Sequence, residues 1–196
     1  NASRDAQIAF ANELSIICDK AEIDIHELIY LANRHPRVNI LQPGAGVGGH
    51  CIAVDPYFII SEFPEDSKMI KTSREVNDKK TSWCIQKIIE EVNVFEKSNG
   101  KKPSLAFMGL AFKPNVDDLR QSPSTRIAQE IMSLAICSKY YIVEPNLATS
   151  EVLELTHYNE AFQKADIVVF SVAHDEFYKI VDFDNKIIID FCGITN

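Results

Sequence analysis

The sequence contains no apolar stretch close to the roughly 20 residues that a membrane-spanning helix needs, and no cationic segment leading into an apolar one at its start. Positive charge is also scarce, because 20 Lys and Arg residues face 28 Asp and Glu residues and leave a formal net charge of −8. These deficits argue against a membrane protein, a secreted precursor, a nucleic-acid partner and an anionic membrane surface. The remaining composition, 46% apolar and 24% charged, is typical of a globular protein, which we expect to be cytoplasmic.

Cysteine is present, but not in the patterns that bind metals or form disulfide frameworks. The five cysteines are odd in number and scattered, and none lies in a C-x-x-C spacing, so we expect neither a metal site nor disulfides. Apolar neighbours surround four of them, which is typical of small buried hydrophobic residues: Cys18, Cys84, Cys137 and Cys192. Cys51 is the exception, since it ends a glycine-rich loop.

Helical periodicity dominates the first half of the chain and short apolar runs the second. Apolar residues recur at helical spacing over 6–20, 25–33 and 66–96, with a Gly- and Pro-marked loop from Pro43 to about Pro56. After a polar linker at 98–103, strand-like runs at 104–110, 140–143, 167–171 and 186–190 alternate with helical stretches at 123–136 and near 158–164. We therefore predict two domains, a helical one over 1–97 and a parallel α/β one over 98–196.

Four of the seven glycines lie between positions 44 and 49, where they match the G-x-G-x-x-G spacing of dinucleotide-binding loops. The context argues against that function, because Pro43 precedes the loop, Pro56 prevents a long helix behind it, and helices rather than a βαβ unit surround it. The glycines instead indicate a backbone that comes very close to a ligand or to another segment. We expect the loop to be ordered by apolar residues that pack immediately after it: Ile52, Val54, Tyr57 and Phe58.

Cys51 ends this loop, and Asp55 follows four residues later. A thiol becomes a nucleophile as the thiolate, so it needs activation at neutral pH, and backbone N–H groups of the loop could supply it and also hold an oxyanion. The adjacent His50 is poorly oriented to act as a base on its neighbour, and we expect it to shape the loop. From spacing alone, a catalytic thiol and a buried structural thiol remain equally open.

Two longer motifs resemble those of a known family. Residues 46–57, Gly-Val-Gly-Gly-His-Cys-Ile-Ala-Val-Asp-Pro-Tyr, preceded by His-Pro-Arg-Val-Asn-Ile at 35–40, resemble the active-site loop of the UDP-glucose/GDP-mannose dehydrogenase family. Residues 112–123, Phe-Lys-Pro-Asn-Val-Asp-Asp-Leu-Arg-Gln-Ser-Pro, resemble the second signature of the same family. The resemblance covers essentially the whole chain. It implies an α/β protein in which a helical middle domain for dimerisation precedes a Rossmann-like parallel α/β domain that binds UDP.

The resemblance also implies a reaction. Family members oxidise the C6 alcohol of a nucleotide sugar to a carboxylate with two NAD⁺, and the wording of the motifs implies UDP-N-acetyl-D-mannosamine as the substrate, for surface polysaccharide synthesis. Cys51 would capture the aldehyde as a thiohemiacetal, which a second oxidation turns into a thioester. Asp55 would belong to the acid–base apparatus that hydrolyses the thioester, and Asn1 would hold the developing oxyanion.

Binding residues follow from the same resemblance. Lys113 would bind the nucleotide sugar, Arg120 would lie near the cofactor cleft, and Arg37 would reach the active site of the neighbouring subunit in a homodimer. The backbone that cradles the substrate would comprise Ile40, Leu41, Gln42, Pro43 and Gly44. A fixed cation suits a pyrophosphate, and Ser122-Pro123 opens a helix whose N–H groups could add to it.

Two departures from the family pattern qualify these expectations. The N-terminal NAD-binding domain is not part of this sequence, and neither is the lysine expected four residues before Asn1, so we expect no full reaction from this chain alone. Cys192 stands where relatives often carry a basic residue. Three alternatives stay open: a non-catalytic UDP-sugar-binding and dimerisation module, a UDP-N-acetylglucosamine 6-dehydrogenase, and a cysteine hydrolase or acyltransferase that works without NAD.

Overall fold

The computed structural model describes residues 1–147 and 154–195. A helical part comes first, with α1 (Ala2–Lys20), α2 (Ile25–Ala32), α3 (Asp55–Glu62) and α4 (Lys68–Asn99). A second part follows, with β1 (Ser104–Met108), α5 (Pro123–Ser133), β2 (Lys139–Val143), α6 (Tyr158–Lys164), β3 (Ile167–Phe170), a 3₁₀ turn (Phe177–Lys179) and β4 (Ile187–Asp190). Within the described residues, none of the helices has the length and apolar character that a bilayer crossing requires.

The sheet of the second part is entirely parallel. Its strand order is β2-β1-β3-β4, so the chain starts in the middle, moves to one edge and returns to the other side of β1. Helix α5 connects β1 to β2, and α6 lies between β2 and β3. The predicted fold class, a helical part followed by a parallel α/β part, is confirmed.

Alternation along the strands explains how the sheet is covered on both faces. Leu105 and Phe107 of β1 face a core that includes Ile88 of α4 and Ile127 of α5. Ala106 and Met108 face the opposite core, which includes Phe162 of α6. Full burial of a large apolar side chain contributes roughly 1.5–3 kcal/mol, so these layers hold α4 against the sheet. The second half of α4 therefore shares a core with the α/β part, and the domain boundary at residue 97 stays a prediction.

The helical part extends beyond the apolar pattern of the sequence in two places. Helix α1 begins at Ala2, before the apolar periodicity of 6–20, because its first turns face the protein through the buried, polar Asp5, which apolar periodicity does not detect. Helix α3 is a short helix of 8 residues that begins at Asp55, close to the predicted end of the loop at about Pro56. Proline is tolerated in the first turn of a helix, where its missing N–H has no partner in any case.

The apolar residues after the glycine loop are also misassigned. Val54, Tyr57 and Phe58 are 37%, 50% and 69% exposed, and only Ile52 is partly buried. They do not order the loop by packing within this chain. Polar contacts from α1 and α4 take that role.

Candidate active site

Cys51, Asn1 and Lys113 line one cleft of about 440 Å³ between the helical part and the first loop of the α/β part. The glycine loop forms one wall, the first turns of α1 another, and Phe112 with Lys113 the third. Cys51 is partly buried, which leaves its thiol accessible from the cleft. The structure therefore brings Asn1 together with Cys51, 50 positions later in the sequence, and with Lys113, 112 positions later.

The glycine loop is held at its start by side chains of the two long helices. Asn12 of α1 accepts a hydrogen bond from the backbone N–H of Gly44 at 2.9 Å. Thr81 of α4 donates to the carbonyl of Ala45 at 2.9 Å. Both side chains are buried, so these bonds are shielded from water and specify one backbone path.

A buried polar chain stands behind Asn12. Its amide donates to Asn77 at 2.9 Å, and Asn77 donates to the carboxylate of Asp5 at 2.8 Å. Arg74 closes the chain with an ion pair to Asp5 at 2.7 Å. Burial raises the pKa of Asp5, while Arg74 and Asn77 oppose that shift by stabilising the charged form. The glycine loop is thus connected to a buried ion pair through two amides.

The end of the glycine loop meets the second motif, which is why glycine is required there. A Cβ on Gly48 would collide with the carbonyl oxygen of Gln121 and lie 2.8 Å from Pro123. The backbone N–H of Gly49 donates to the carbonyl of Arg120 at 3.1 Å. The two family-like motifs therefore touch through their backbones, and glycine allows the close approach that the sequence predicted.

Asp55 lies at the start of α3, directly behind Cys51. Its backbone N–H donates to the carbonyl of Cys51 at 2.8 Å, and its carboxylate accepts a hydrogen bond from the side-chain amide of Asn1. The three residues assigned to catalysis are therefore connected to one another. Asp55 is not among the described residues that line the cleft, and it lies next to the cleft through its hydrogen bond to Asn1.

Arg120 lies beside the loop and is already paired. Its guanidinium chelates Asp118 with contacts of 2.6 to 3.0 Å, and these hydrogen bonds lower the pKa of Asp118 to about 2. Arg120 is exposed, and it is not among the described residues that line the Cys51 cleft. Its backbone carbonyl, which accepts from Gly49, places it beside the glycine loop.

The segment 40–44, whose backbone the resemblance assigns to the substrate, lies outside the Cys51 cleft. Asn33 brackets Ile40 with two hydrogen bonds of 2.7 and 2.9 Å, and Gln42 contacts His26 at 2.9 Å. Pro43 lines a second cavity of about 230 Å³ at the junction with β4. Arg37 is exposed. Leu41 and Gly44 are partly buried. Among the described residues, neither Arg37 nor any residue of 40–44 lines the Cys51 cleft.

Sequence reasoning missed two residues of the cleft, Arg4 and Ile8. Both follow Asn1 at helical spacing, three and seven residues later, so they lie on the same face of α1. The helical pattern at the start of the sequence was the available signal, but Arg4 and Ile8 lie outside the two family-like motifs. Arg4 adds a second cation opposite Lys113, which favours an anionic ligand.

The remaining cysteines differ from Cys51 in environment. Burial raises the pKa of Cys84 to about 12 and that of Cys137 to about 11, and it also raises the pKa of Cys18 and Cys192. These thiols therefore stay protonated near neutral pH. Cys192 is partly exposed rather than fully buried. In the described part of the chain, no group of three or more His, Cys, Asp or Glu residues is arranged to hold a metal ion.

Sequence comparison identifies the class of protein to which this fold and this cleft belong. Residues 1–79 match the central domain of the UDP-glucose/GDP-mannose dehydrogenase family, and residues 106–196 match its UDP binding domain. The chain belongs to this family, of which it contains these two domains.

The curated relatives are longer than this chain, which spans about half of their length. UDP-N-acetyl-D-mannosamine dehydrogenase of Campylobacter jejuni is 47% identical over 98% of this chain and 47% of its own. The enzyme of the same name from Escherichia coli K12 is 45% identical over 99% of this chain and 48% of its own length. NDP-N-acetyl-D-galactosaminuronic acid dehydrogenase of Ralstonia nicotianae is 46% identical over 99% and 46%.

Solved structures give the same result for the fold. UDP-D-ManNAc dehydrogenase from Pyrococcus horikoshii superposes with a TM-score of 0.85 at 31% identity, over 100% of this chain and 47% of that one. The UDP-N-acetyl-mannosamine dehydrogenase Cap5O from Staphylococcus aureus superposes with a TM-score of 0.82 at 32% identity, over 99% and 50%.

Proposed function

We propose that the chain is the catalytic-cysteine and UDP-binding portion of an NAD-dependent UDP-N-acetyl-D-mannosamine 6-dehydrogenase. The observation that carries this proposal is the single cleft that contains Asn1, Cys51 and Lys113, with Asp55 bonded to Asn1 behind it. The two relatives named for UDP-N-acetyl-D-mannosamine support the choice of sugar. The reaction requires a reduced Cys51, which suits the cytoplasmic location expected from the sequence.

The chemistry assigned to the cleft begins at the thiol. Two NAD⁺ molecules, bound in turn by a part of the relatives that this chain does not span, would each accept one hydride. Between the two oxidations, Sγ of Cys51 adds to the C6 aldehyde, and Asn1 donates a hydrogen bond to the oxygen that becomes negative. After the second oxidation, the C6 carbonyl is a thioester of Cys51. Asp55 then accepts a proton from the attacking water, and the thiolate leaves as the carboxylate forms.

Lys113 is the residue we assign to the pyrophosphate. It is exposed at the cleft, and it follows β1 in the loop that leads to the N-terminus of α5. Ser122 caps that helix by accepting from Thr125 at 3.3 Å, so the positive end of the helix dipole lies near the same loop. Arg120 is assigned to the cofactor side of the cleft. We assign the backbone of 40–44 to the nucleoside end of the substrate.

We also propose that two copies pair through the helical part, so that Arg37 of one reaches the active site of the other. Phe10 and Ile17 are each 55% exposed and lie seven residues apart, on one face of α1. Exposed apolar residues on one helix face are typical of an interaction surface. Sedimentation of the purified chain tests this proposal. We expect the parent chain to sediment as a dimer and the control variant Phe10→Asp to sediment as a monomer.

Ligand titration of this chain tests the assignment of its domains. We expect UDP to bind weakly, since Lys113 is present, and NAD⁺ to show no measurable binding. Lys113→Ala should weaken UDP binding roughly tenfold, the effect of removing a hydrogen bond to a charged group. Lys97→Ala, which removes an exposed lysine from the end of α4, is the matched control. Tight binding of NAD⁺ to this chain would contradict the assignment.

One observation favours a second substrate class, the N-acetyl-galactosamine nucleotides. The chain is 46% identical to an NDP-N-acetyl-D-galactosaminuronic acid dehydrogenase. The two sugars differ in stereochemistry at the ring and not at the C6 alcohol, so the cysteine chemistry is common to both. A product analysis distinguishes the two substrate classes. The full-length dehydrogenase proposed above, called the longer protein below, is incubated with UDP-N-acetyl-mannosamine, UDP-N-acetyl-glucosamine or UDP-N-acetyl-galactosamine. Mass spectrometry and NMR then identify the uronic acid that it makes.

A further inference from the structure

The loop that carries Lys113 is held at both ends by one buried pair, Glu144 and His174. Glu144 follows β2 and is 3% exposed, and His174 follows β3 and is fully buried. Nε2 of His174 and Oε2 of Glu144 are 3.1 Å apart. Neither residue lines the Cys51 cleft, so their role lies in what they hold.

Glu144 holds the first end of the loop. Its Oε2 accepts hydrogen bonds from the backbone N–H groups of Leu110 at 2.8 Å and Ala111 at 2.9 Å. Burial raises the pKa of Glu144, but the hydrogen bonds from His174, Leu110 and Ala111 outweigh it and lower the pKa overall. A charged acceptor makes these bonds stronger than those to a neutral carbonyl.

His174 holds the second end. Its Nδ1 accepts a hydrogen bond from the backbone N–H of Asn115 at 3.0 Å, two residues after Lys113. A ring nitrogen that accepts from a backbone N–H carries no proton, so Nε2 carries the proton and donates it to Glu144. Asn115 in turn accepts from the N–H of Asp175 at 3.1 Å. The side-chain amide of Asn146 also contacts Nδ1, at 2.9 Å. The imidazole therefore has a defined orientation, in which Nδ1 faces Asn115 and Asn146 and Nε2 faces Glu144.

We propose that Glu144 and His174 are positioning residues for the nucleotide-sugar site, which fix the backbone on both sides of Lys113 before the ligand arrives. The inference rests on the proposed function of Lys113 in binding the pyrophosphate. An exposed lysine has a long, mobile side chain, and an unordered backbone beneath it would add to the entropy lost on binding. The buried pair removes the backbone part of that loss in advance.

Two substitutions at His174 separate the contacts of its two ring nitrogens. His174→Gln can place an amide donor near the position of Nε2 and keep the contact with Glu144, but it leaves Asn115 N–H without its acceptor. His174→Asn can place an amide oxygen near the position of Nδ1 and keep the contact with Asn115. We expect UDP binding to weaken roughly five- to tenfold in His174→Gln, the factor that one lost hydrogen bond represents, and less than threefold in His174→Asn.

A control separates positioning from general stability. Phe177 packs edge-on against His174 with ring centroids 5.4 Å apart, and Phe177→Leu should lower the melting temperature without touching the loop. We expect this variant to bind UDP as the parent chain does. If UDP affinity follows melting temperature across all three variants, or if His174→Gln binds UDP as tightly as the parent, the positioning role is overturned.

Amide hydrogen exchange provides a readout that needs no ligand. We expect the N–H of Asn115 and its neighbours in 110–115 to exchange at least tenfold faster in His174→Gln than in the parent, and near the parent rate in His174→Asn. Unchanged exchange in His174→Gln would overturn the inference. Absence of UDP binding by the parent chain would instead overturn the proposed function of Lys113, while the exchange result would still decide whether the loop is held by this pair.

Discussion

The side-chain amide of Asn1 donates a hydrogen bond to the carboxylate of Asp55, across 54 positions of sequence. This contact connects the N-cap of α1 to the first turn of α3, whose backbone also bonds to the carbonyl of Cys51. An amide that already bonds to the carboxylate is restricted in orientation, and its second N–H remains to serve an oxyanion in the cleft. In the proposed reaction, Asn1 acts first, on the oxyanion, and Asp55 acts afterwards, on the attacking water.

Asp55→Asn should block the last step of that reaction. The variant of the longer protein keeps the volume of the side chain but loses the base that accepts a proton from water, so a thioester on Cys51 should accumulate. Intact-protein mass spectrometry after incubation with UDP-sugar and NAD⁺ should reveal the added sugar-nucleotide mass. Asp78→Asn, at an exposed carboxylate on α4, is the control and should show no adduct. Normal turnover by Asp55→Asn would contradict the assignment.

Cys51→Ala should abolish formation of the uronic acid by the longer protein and leave UDP binding by this chain within about twofold of the parent. The thiol is assigned to the step after the first oxidation, and it does not contact the pyrophosphate in this proposal. Cys192→Ala removes a thiol outside the cleft and should retain activity. Uronic acid production near the wild-type rate by Cys51→Ala would exclude the covalent mechanism.

Two glycines of the loop should respond differently to a methyl group. Gly48→Ala places a Cβ against the carbonyl of Gln121, and we expect it to lower the free energy of unfolding by about 1–3 kcal/mol, the usual effect of overpacking. A Cβ on Gly44 meets nothing within 4 Å, so Gly44→Ala should leave stability nearly unchanged. Urea denaturation of both variants makes the comparison, and equal effects would show that the contact between the two motifs is absent in solution.

The buried polar chain should be sensitive to the loss of one amide. Asn12→Ala leaves the N–H of Gly44 and the side-chain oxygen of Asn77 without a partner, and an unsatisfied buried group costs about 1–3 kcal/mol. Gln86→Ala removes an exposed amide from α4 that contacts only Glu90 among the described side chains, and it should change stability by less than about 0.5 kcal/mol. Urea denaturation measures both, and equal stabilities would contradict a structural role for the chain.

The pair of Arg120 and Asp118 should be visible in a titration. The pKa of Asp118 is lowered to about 2, so the pair stabilises the folded state above the carboxyl pKa of the unfolded chain. That contribution is lost as the pH falls toward 2 and Asp118 becomes protonated. Arg120→Ala should return the pKa of Asp118 toward 3.8, measured by NMR of the carboxyl carbon. Arg126→Ala, which removes a guanidinium paired with Glu130, should leave the pKa of Asp118 unchanged.

Much of the architecture was predictable because it depends on local periodicity. The change from helical spacing to short apolar runs near residue 100 predicted the parallel sheet, and the bounds of most elements agree within a few residues. The errors lie where a polar or exposed surface sets the structure. The start of α1 packs through Asp5, and α3 exposes Phe58, so an apolar pattern was misleading at both places.

The amino-acid sequence by itself determined that Cys51 ends a glycine loop, that Asp55 follows it, and that the family motifs are present. It also determined which faces of the helices and strands are apolar, since that is a property of residue order. Only the tertiary structure decided that Asn1 meets Asp55, that Gly48 meets Gln121, and that Glu144 and His174 hold the loop of Lys113. The physical reason is that these polar contacts join residues far apart in the chain, and no periodicity records which distant partner satisfies a buried hydrogen-bonding group.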